Sequence, residues 1–200
     1  MAIKRVLLPV SGDGNFEPLA DMAFLIGEMF SAQVMGLFVQ SPGVVVPLFD
    51  GVVSPEQVRT LIETAQGRAA RAQSMFKASA ERFPHVGSAF HSLIGDVETL
   101  FIRHGRLADI SIIAPQNQLE DGFWGSSFWL DVQNATLFRC GRPVLLVPPH
   151  APGSNFETVV IAWKESLEAA RAIAAAQPFM TRAREVHLFT IDDGGEAVTS

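Results

Sequence analysis

The chain has 200 residues, of which 48% are hydrophobic and 18% are charged, as expected of a globular protein with one domain of about 150 residues and a remainder. Its formal net charge is −6 and its 15 Lys and Arg residues are scattered, which argues against binding to nucleic acid. Its apolar runs are too short for a signal peptide or a membrane span. A single cysteine, Cys140, excludes an intrachain disulfide, and we expect a cytoplasmic protein.

Short apolar runs alternate with helical patterns along the first 150 residues. The first run is continuously apolar, which is typical of a parallel strand that is covered on both faces. Strict alternation of five strands with four helices predicts a doubly wound α/β fold, a five-stranded parallel sheet for which we expect the strand order 3-2-1-4-5. The strands are predicted at 4–10, 33–39, 86–93, 108–114 and 144–147, and the helices at 16–31, 54–82, 95–107 and 128–140.

The end of the chain repeats its beginning. Residues 6–10 align with 159–163, and residues 34–39 align with 186–191 after a gap of one residue. We therefore predict an α/β domain at 1–149, a linker at 150–157 and the opening β-α-β of a second repeat within 158–200. Two strands and one helix cannot cover both faces of their own sheet, so we expect this second repeat to pack against a neighbouring unit.

Four segments carry a resemblance to a known family. They are RVLLPVSGD at 5–13, GDVETLFIRHGRLADISIIA at 95–114, LFRCGRPVLLVPP at 137–149 and TVVIAWKESLEAARAIAAAQPFM at 158–180. The chain resembles the universal stress proteins, in a tandem arrangement whose second domain is incomplete. The resemblance implies the five-stranded α/β fold, a role in stress response, and pairing through the fifth strand, either in a homodimer or between repeats. It also implies that ATP binding must be considered, because some members bind ATP.

The positions by which nucleotide-binding members are recognised differ here. Those members close the first strand with Asp and follow the fourth strand with Gly-x-x-Gly, nine residues, and Gly-Ser/Thr. This chain has Ser11 at the first position and Ala114-Pro115 at the second, while a Gly-x-x-Gly at 122–125 comes eight residues late. We therefore expect no cofactor, with ATP and Mg²⁺ as the alternative. The residues that would then bind nucleotide are Ser11, Gly12, Asp13, Val39, Ala114, Gly122, Gly125 and Ser126.

Ligands of a doubly wound sheet bind beyond the carboxyl ends of its strands, here segments 11–15, 41–53 and 115–130. These segments contain four acidic residues, many apolar residues and no Lys or Arg, so they favour a protein or an apolar small molecule over a phosphate. An aromatic cluster in the third segment is either core or interaction surface, and the fifth strand is an apolar edge. The interface candidates are Phe123, Trp124, Phe128, Trp129, Val144, Leu145, Leu146 and Val147.

Other catalytic and metal motifs are weak. The five histidines form no recognised spacing, so no metal site is predicted, and no nucleophile turn surrounds Ser126 or Ser127. Residues 11–14 loosely resemble the Ser-Gly-Gly loop of ATP pyrophosphatases. Our interpretation is a non-enzymatic stress-response protein that acts through dimerisation or partner binding. The alternatives are an ATP-switched universal stress protein and, with less support, an adenylating enzyme.

Overall fold

The structure, a computed structural model, describes residues 2–12, 16–41, 55–115, 125–148 and 156–190. The chain divides into two compact units, Ile3–Gly153 and Ser154–Ser200, which are described separately. The first unit contains β1 (Arg5–Pro9), α1 (Glu17–Phe30), β2 (Gln33–Gln40), α2 (Pro55–Arg82), β3 (Ser88–Ile94), α3 (Val97–Leu107), β4 (Ile110–Ile113), α4 (Gly125–Asn134), a π-helical turn (Ala135–Arg139) and β5 (Val144–Leu146). The second contains β6 (Thr158–Trp163), α5 (Leu167–Met180) and β7 (Glu185–Thr190).

The sheet of the first unit has five parallel strands in the order β3-β2-β1-β4-β5, which confirms the predicted fold class and strand order. β1 is central, with Val6 opposite Val34 of β2 and Ile110 of β4. Its residues from Val6 to Pro9 are all buried, as expected for a continuously apolar strand between two layers of helices.

Helices cover both faces of this sheet. On one face, Phe24 of α1 contacts Phe76 of α2 with ring centroids 5.5 Å apart, and Phe76 lies against the backbone of Gly36 in β2. The neighbouring strand residue, Leu37, faces the other way and joins the core formed with α3 and α4. That second core includes Leu7, Leu37, Val39, Val97, Phe101, Ile102, Ile113, Trp129, Val132 and Ala135.

The last helix of the first unit differs from the prediction of one continuous α-helix. The α-helix ends at Asn134 and a π-helical turn follows. The buried hydroxyl of Thr136 donates to the carbonyl oxygens of Val132, at 2.7 Å, and Gln133, at 3.2 Å. This hydroxyl competes with backbone N–H groups for the same acceptors, which is a physical reason for the altered ladder.

β5 is a short strand at the sheet edge. Pro143 immediately precedes it, and Val147 alone separates its last residue from Pro148. Val144 and Leu145 are half-buried, whereas Leu146 is 46% exposed. The stretch that leads into the strand also exposes Leu137 and Phe138, the latter to 78%. Within the described residues of the first unit, β5 is therefore paired on one side only, and apolar side chains are exposed beside it.

The second unit is a parallel β-α-β element, as predicted. β6 pairs with β7 from Thr158–Glu185 to Trp163–Thr190, and Ser166 caps α5 by accepting from the N–H of Ala169 at 3.1 Å. Every residue of β7 is exposed. The large apolar side chains that remain exposed here are Val160, Leu167, Val186, Leu188 and Phe189.

The N-terminus of α3 provides a test of helix capping. The Asp96 carboxylate accepts from the N–H of Thr99 at 2.8 Å. We expect Asp96→Ala to lower the free energy of unfolding by about 0.5–2 kcal/mol in urea denaturation, and Asp96→Asn to retain most of it, because Asn caps as well as Asp. Equal losses for the two variants would contradict the capping role.

The same cap should respond to pH. Hydrogen bonds from Thr99, first from its side chain and then from its N–H, lower the pKa of Asp96. Because the folded-state pKa lies below the unfolded value of about 3.9, the contribution is complete above that pH and is lost as pH falls through the folded pKa. The advantage of wild type over Asp96→Ala should therefore shrink only under strongly acidic conditions.

Candidate functional site

The candidate site lies where the connections of the sheet reverse direction, between the carboxyl ends of β1 and β4. These strands are neighbours in the sheet, but their following helices cover opposite faces. In doubly wound sheets, ligands bind in the crevice at the strand ends of such a point. The described residues that border this crevice are Val10, Ser11, Gly12, Ala114 and Pro115.

The loop after β1 is closely packed. Ser11 is 8% exposed, and Gly12 has a φ of +78°, a conformation that favours glycine. A Cβ on Gly12 would lie 2.6 Å from the carbonyl oxygen of Arg68 and 3.3 Å from the Cβ of Ala72. The middle of α2 therefore packs directly on this loop.

This packing adds residues of α2 to those that border the end of β1. The loop segments at the strand ends contain no cation, but α2 carries Arg68 and Arg71 at the point where it meets the Gly12 loop. The sequence did not reveal the contact, because no periodicity relates position 12 to position 68. The end of β1 is therefore bordered by α2, and two basic residues of that helix lie beside the contact in sequence.

The carboxyl end of β4 is held by a side chain that the sequence analysis did not select. Gln133 of α4 is buried, and its Nε2 donates to the carbonyl oxygen of Ala114 at 2.9 Å. The next residue, Pro115, has no N–H to offer a ligand. A polar residue within the apolar stripe of α4 was the available signal for Gln133. This strand end is fixed in place and lacks the N–H that a phosphate-binding glycine turn would supply.

Three carboxylates, those of Asp96, Glu98 and Asp131, lie near the start of α3. Burial raises the pKa of Asp131, and the nearby carboxylates of Glu98 and Asp96 raise it further. Glu98 also pairs with Arg139 of the π-helical turn. The positive potential of the α3 N-terminus is thus offset by carboxylates, which disfavours an anionic ligand beside that helix.

The remaining predicted nucleotide-binding residues are placed as follows. Val39 is buried in the core formed with α3 and α4, so its side chain does not face a ligand. Gly125 and Ser126 lie in the first turn of α4. Asp13 and Gly122 lie outside the described residues.

The predicted interface residues separate into core and surface. Trp129 is buried and Phe128 packs against it, with ring centroids 5.3 Å apart and with Phe128 also 6.1 Å from Phe101. Val147 is buried as well. These three residues stabilise the domain itself, whereas Leu146, Val144 and Leu145 lie on the open strand. Phe123 and Trp124 lie outside the described residues.

One buried hydroxyl near the site gives a stability prediction. The Oγ of Ser111 in β4 is buried and has no hydrogen-bond partner within the described part of the chain. Because an unsatisfied buried hydroxyl costs about 1–3 kcal/mol, we expect Ser111→Ala to raise the free energy of unfolding by roughly 1 kcal/mol. The matched Thr136→Val removes a satisfied hydroxyl and should lower it by a similar amount. A loss on Ser111→Ala would show that the hydroxyl has a partner.

No helix described here is both long and apolar enough to cross a membrane. In the same part of the chain, no three or more His, Cys, Asp or Glu side chains form a group suited to a metal ion.

The chain is similar to known proteins in structure but has no detected match in sequence. No family model matches the chain, and no curated protein matches it. Among solved structures, it is similar to a universal stress protein from Archaeoglobus fulgidus, with 15% identity, 96% of this chain and 68% of that chain covered, and a TM-score of 0.66. It is also similar to the universal stress protein UspA from Lactobacillus plantarum, with 12% identity, 74% and 99% covered, and a TM-score of 0.54. A universal stress protein in complex with cAMP has 14% identity, 74% and 98% covered, and a TM-score of 0.50. At these identities the likeness shows a shared fold.

Proposed function

We propose that this chain is a cytoplasmic regulatory protein of the universal stress protein type, which acts by associating through the β5 edge and not by catalysis. Its fold and the four family-like segments support the type. The proposed organisation is a complete domain at 1–149, a linker at 150–157 and an opening second repeat at 158–200. We propose further that the crevice between β1 and β4 does not bind ATP at physiological concentrations.

The observation that carries the association proposal is the open edge of β5. An unpaired parallel edge presents free backbone N–H and C=O groups, which another strand can pair with. Leu146 on the strand and Phe138 before it add exposed apolar surface, and burial of such surface stabilises an interface by about 25 cal/mol per Å². Either a second copy of the chain or a second repeat can provide the pairing strand.

The association test is sedimentation velocity and native mass spectrometry on the full chain. We expect an oligomer that Leu146→Lys and Phe138→Lys each dissociate, because both place a charge on the proposed interface. Ile62→Lys is the matched control, since Ile62 is a partly exposed apolar residue of α2, the helix on the opposite face of the sheet. A monomer at all concentrations, or an oligomer that tolerates both charged variants, would contradict the proposal.

Three observations support the absence of ATP binding. Ser11 replaces the carboxylate expected at the end of the first strand, Ala114-Pro115 replaces the glycine turn, and carboxylates lie near the start of α3. Loss of one charge-assisted contact costs about 1.5–3 kcal/mol. Two such losses would weaken a micromolar site to roughly millimolar, at tenfold for each 1.4 kcal/mol.

The nucleotide test is calorimetric titration with ATP and Mg²⁺, and with cAMP because one solved protein of this fold is a complex with cAMP. We expect no saturable binding tighter than about 100 μM. Tighter ATP binding that is lost on changing Gly125 or Ser126 would favour the ATP-switched alternative. Release of pyrophosphate from ATP would favour the adenylating enzyme.

The second repeat exposes several large apolar side chains. β6 and β7 expose Val160, Leu188 and Phe189, which a complete repeat of this fold would cover. We propose that this repeat packs against a neighbouring unit. Limited proteolysis that removes residues 150–200 should then change the oligomeric state or the melting temperature, and an unchanged assembly with an unchanged melting temperature would refute this part.

A further inference from the structure

The rings of two histidines in the first unit lie close together, although no sequence motif relates their positions. His91 lies in β3 and His104 lies in α3, and their imidazole centroids are 5.9 Å apart with an angle of 67° between the rings. The chain turns between these elements at Gly95-Asp96, so no local spacing pattern marks the pair. None of the five histidines accordingly stands in a metal-binding spacing in the sequence.

The fold explains why the two rings meet. Side chains alternate along β3, so His91 lies on the same face as Leu93, which packs against the core formed with α3 and α4. His104 lies one helical turn after Phe101, whose ring is fully buried in that core. His91 is exposed and His104 is half-buried, so an ion from solvent can reach both rings.

We propose that His91 and His104 together bind a late first-row divalent metal ion such as Zn²⁺, with water molecules completing the coordination. Imidazole nitrogen suits Zn²⁺, Ni²⁺ and Cu²⁺. Nitrogen lies about 2.0–2.1 Å from zinc, so two imidazoles on one tetrahedral ion have ring centres roughly 5 Å apart. The observed 5.9 Å is within about 1 Å of that value, which small side-chain rotations can close.

The charges around His91 and His104 determine how tightly the pair should bind a divalent metal ion. Burial lowers the pKa of His104, and the nearby His91 and Arg103 lower it further, so this ring is a neutral ligand near pH 7. Arg103 is a cation beside the proposed ion and opposes its binding. Among the described residues, no group of three or more ligand-type side chains forms. We therefore expect reversible binding by two protein ligands, not a closed structural site.

The test is calorimetric titration of the full chain with ZnCl₂ in buffer without thiols or chelators. We expect His91→Asn and His104→Asn each to weaken binding at least tenfold, because even loss of a partner behind a metal ligand costs about 10–100-fold. Arg103→Gln should strengthen binding a few-fold, since it removes an opposing charge. His85→Asn and His187→Asn are matched controls that should leave binding unchanged.

A second measurement avoids reliance on folded variants. In wild-type protein, substoichiometric Cu²⁺ should broaden the ring NMR signals of His91 and His104 selectively. Absence of saturable Zn²⁺ binding would overturn the proposal. So would Zn²⁺ affinity that survives in both the His91 and His104 variants or is lost in a control variant. Broadening of other histidine signals in preference to this pair would also overturn it.

Discussion

Phe101→Ala is expected to lower the free energy of unfolding by about 3–5 kcal/mol, the usual cost of truncating a fully buried phenylalanine. Phe101 has no exposed surface, and its ring meets Phe128 edge to face. It lies where α3 covers the centre of the sheet, so removal of its ring would leave a buried cavity that solvent does not reach. Native domains are stable by only about 5–15 kcal/mol, so this loss should be plain in urea denaturation.

Phe138→Ala is the matched control for this prediction. Phe138 is 78% exposed, so the same substitution should change stability by no more than about 0.5 kcal/mol at low protein concentration. If Phe138 lies in an interface between copies, its cost should increase with protein concentration, whereas the cost at Phe101 should not. Similar costs for the two variants at low concentration would place Phe101 outside the core.

Gly36→Ala is expected to lower the free energy of unfolding by about 1–3 kcal/mol, the cost of overpacking a filled core. A Cβ on Gly36 would lie 2.6 Å from Cδ2 and 2.7 Å from Cε2 of Phe76. That ring cannot move aside easily, because Phe24 and Phe90 contact it with centroids 5.5 Å and 5.6 Å away. Alanine at position 36 must therefore displace α2 or distort β2.

Gly67→Ala in α2 gives the opposite expected sign for the same chemical change. The nearest atom to a Cβ there is Nη1 of Arg71 at 4.0 Å, so the added methyl group fits. Alanine is better than glycine in a helix by about 0.5–1 kcal/mol, and we expect stability to rise by that amount. A gain in stability on Gly36→Ala would show that the contact between Phe76 and Gly36 does not limit the packing, and a loss on Gly67→Ala would show that α2 does not tolerate the added methyl group.

The strands of the sheet and their order could be predicted from the sequence, because local and periodic patterns determine them. Continuous apolar runs placed the strands, and the Gly95-Asp96 signal placed the start of α3, where Asp96 indeed caps the helix. The least accurate boundaries were those of α4, which was predicted at 128–140 and spans Gly125–Asn134. There the Thr136 hydroxyl donates to a carbonyl oxygen of the preceding turn, and a π-helical turn replaces the regular helix. Helix propensity does not predict such competition between two donors for one acceptor.

The site was less predictable because its determining contacts join residues far apart in sequence. Gln133 reaches Ala114, α2 packs on Gly12, and His91 meets His104, each across a connection between elements. Periodicity assigns a residue to a face of its own element, but it does not identify the atom that the residue meets on another element. The aromatic residues at 128 and 129 show the same limit, since composition alone did not separate core from surface.

The prolines around β5 have a consequence for the geometry of assembly. Pro143 and Pro148 cannot donate a backbone hydrogen bond, so a partner strand can form a ladder with only the few residues between them. A long unprotected edge invites successive chains to add without limit, as in fibrils. In the association proposed above, the short edge between the two prolines would instead favour a closed pair with two-fold symmetry, in which the β5 strands of the two copies pair only with each other.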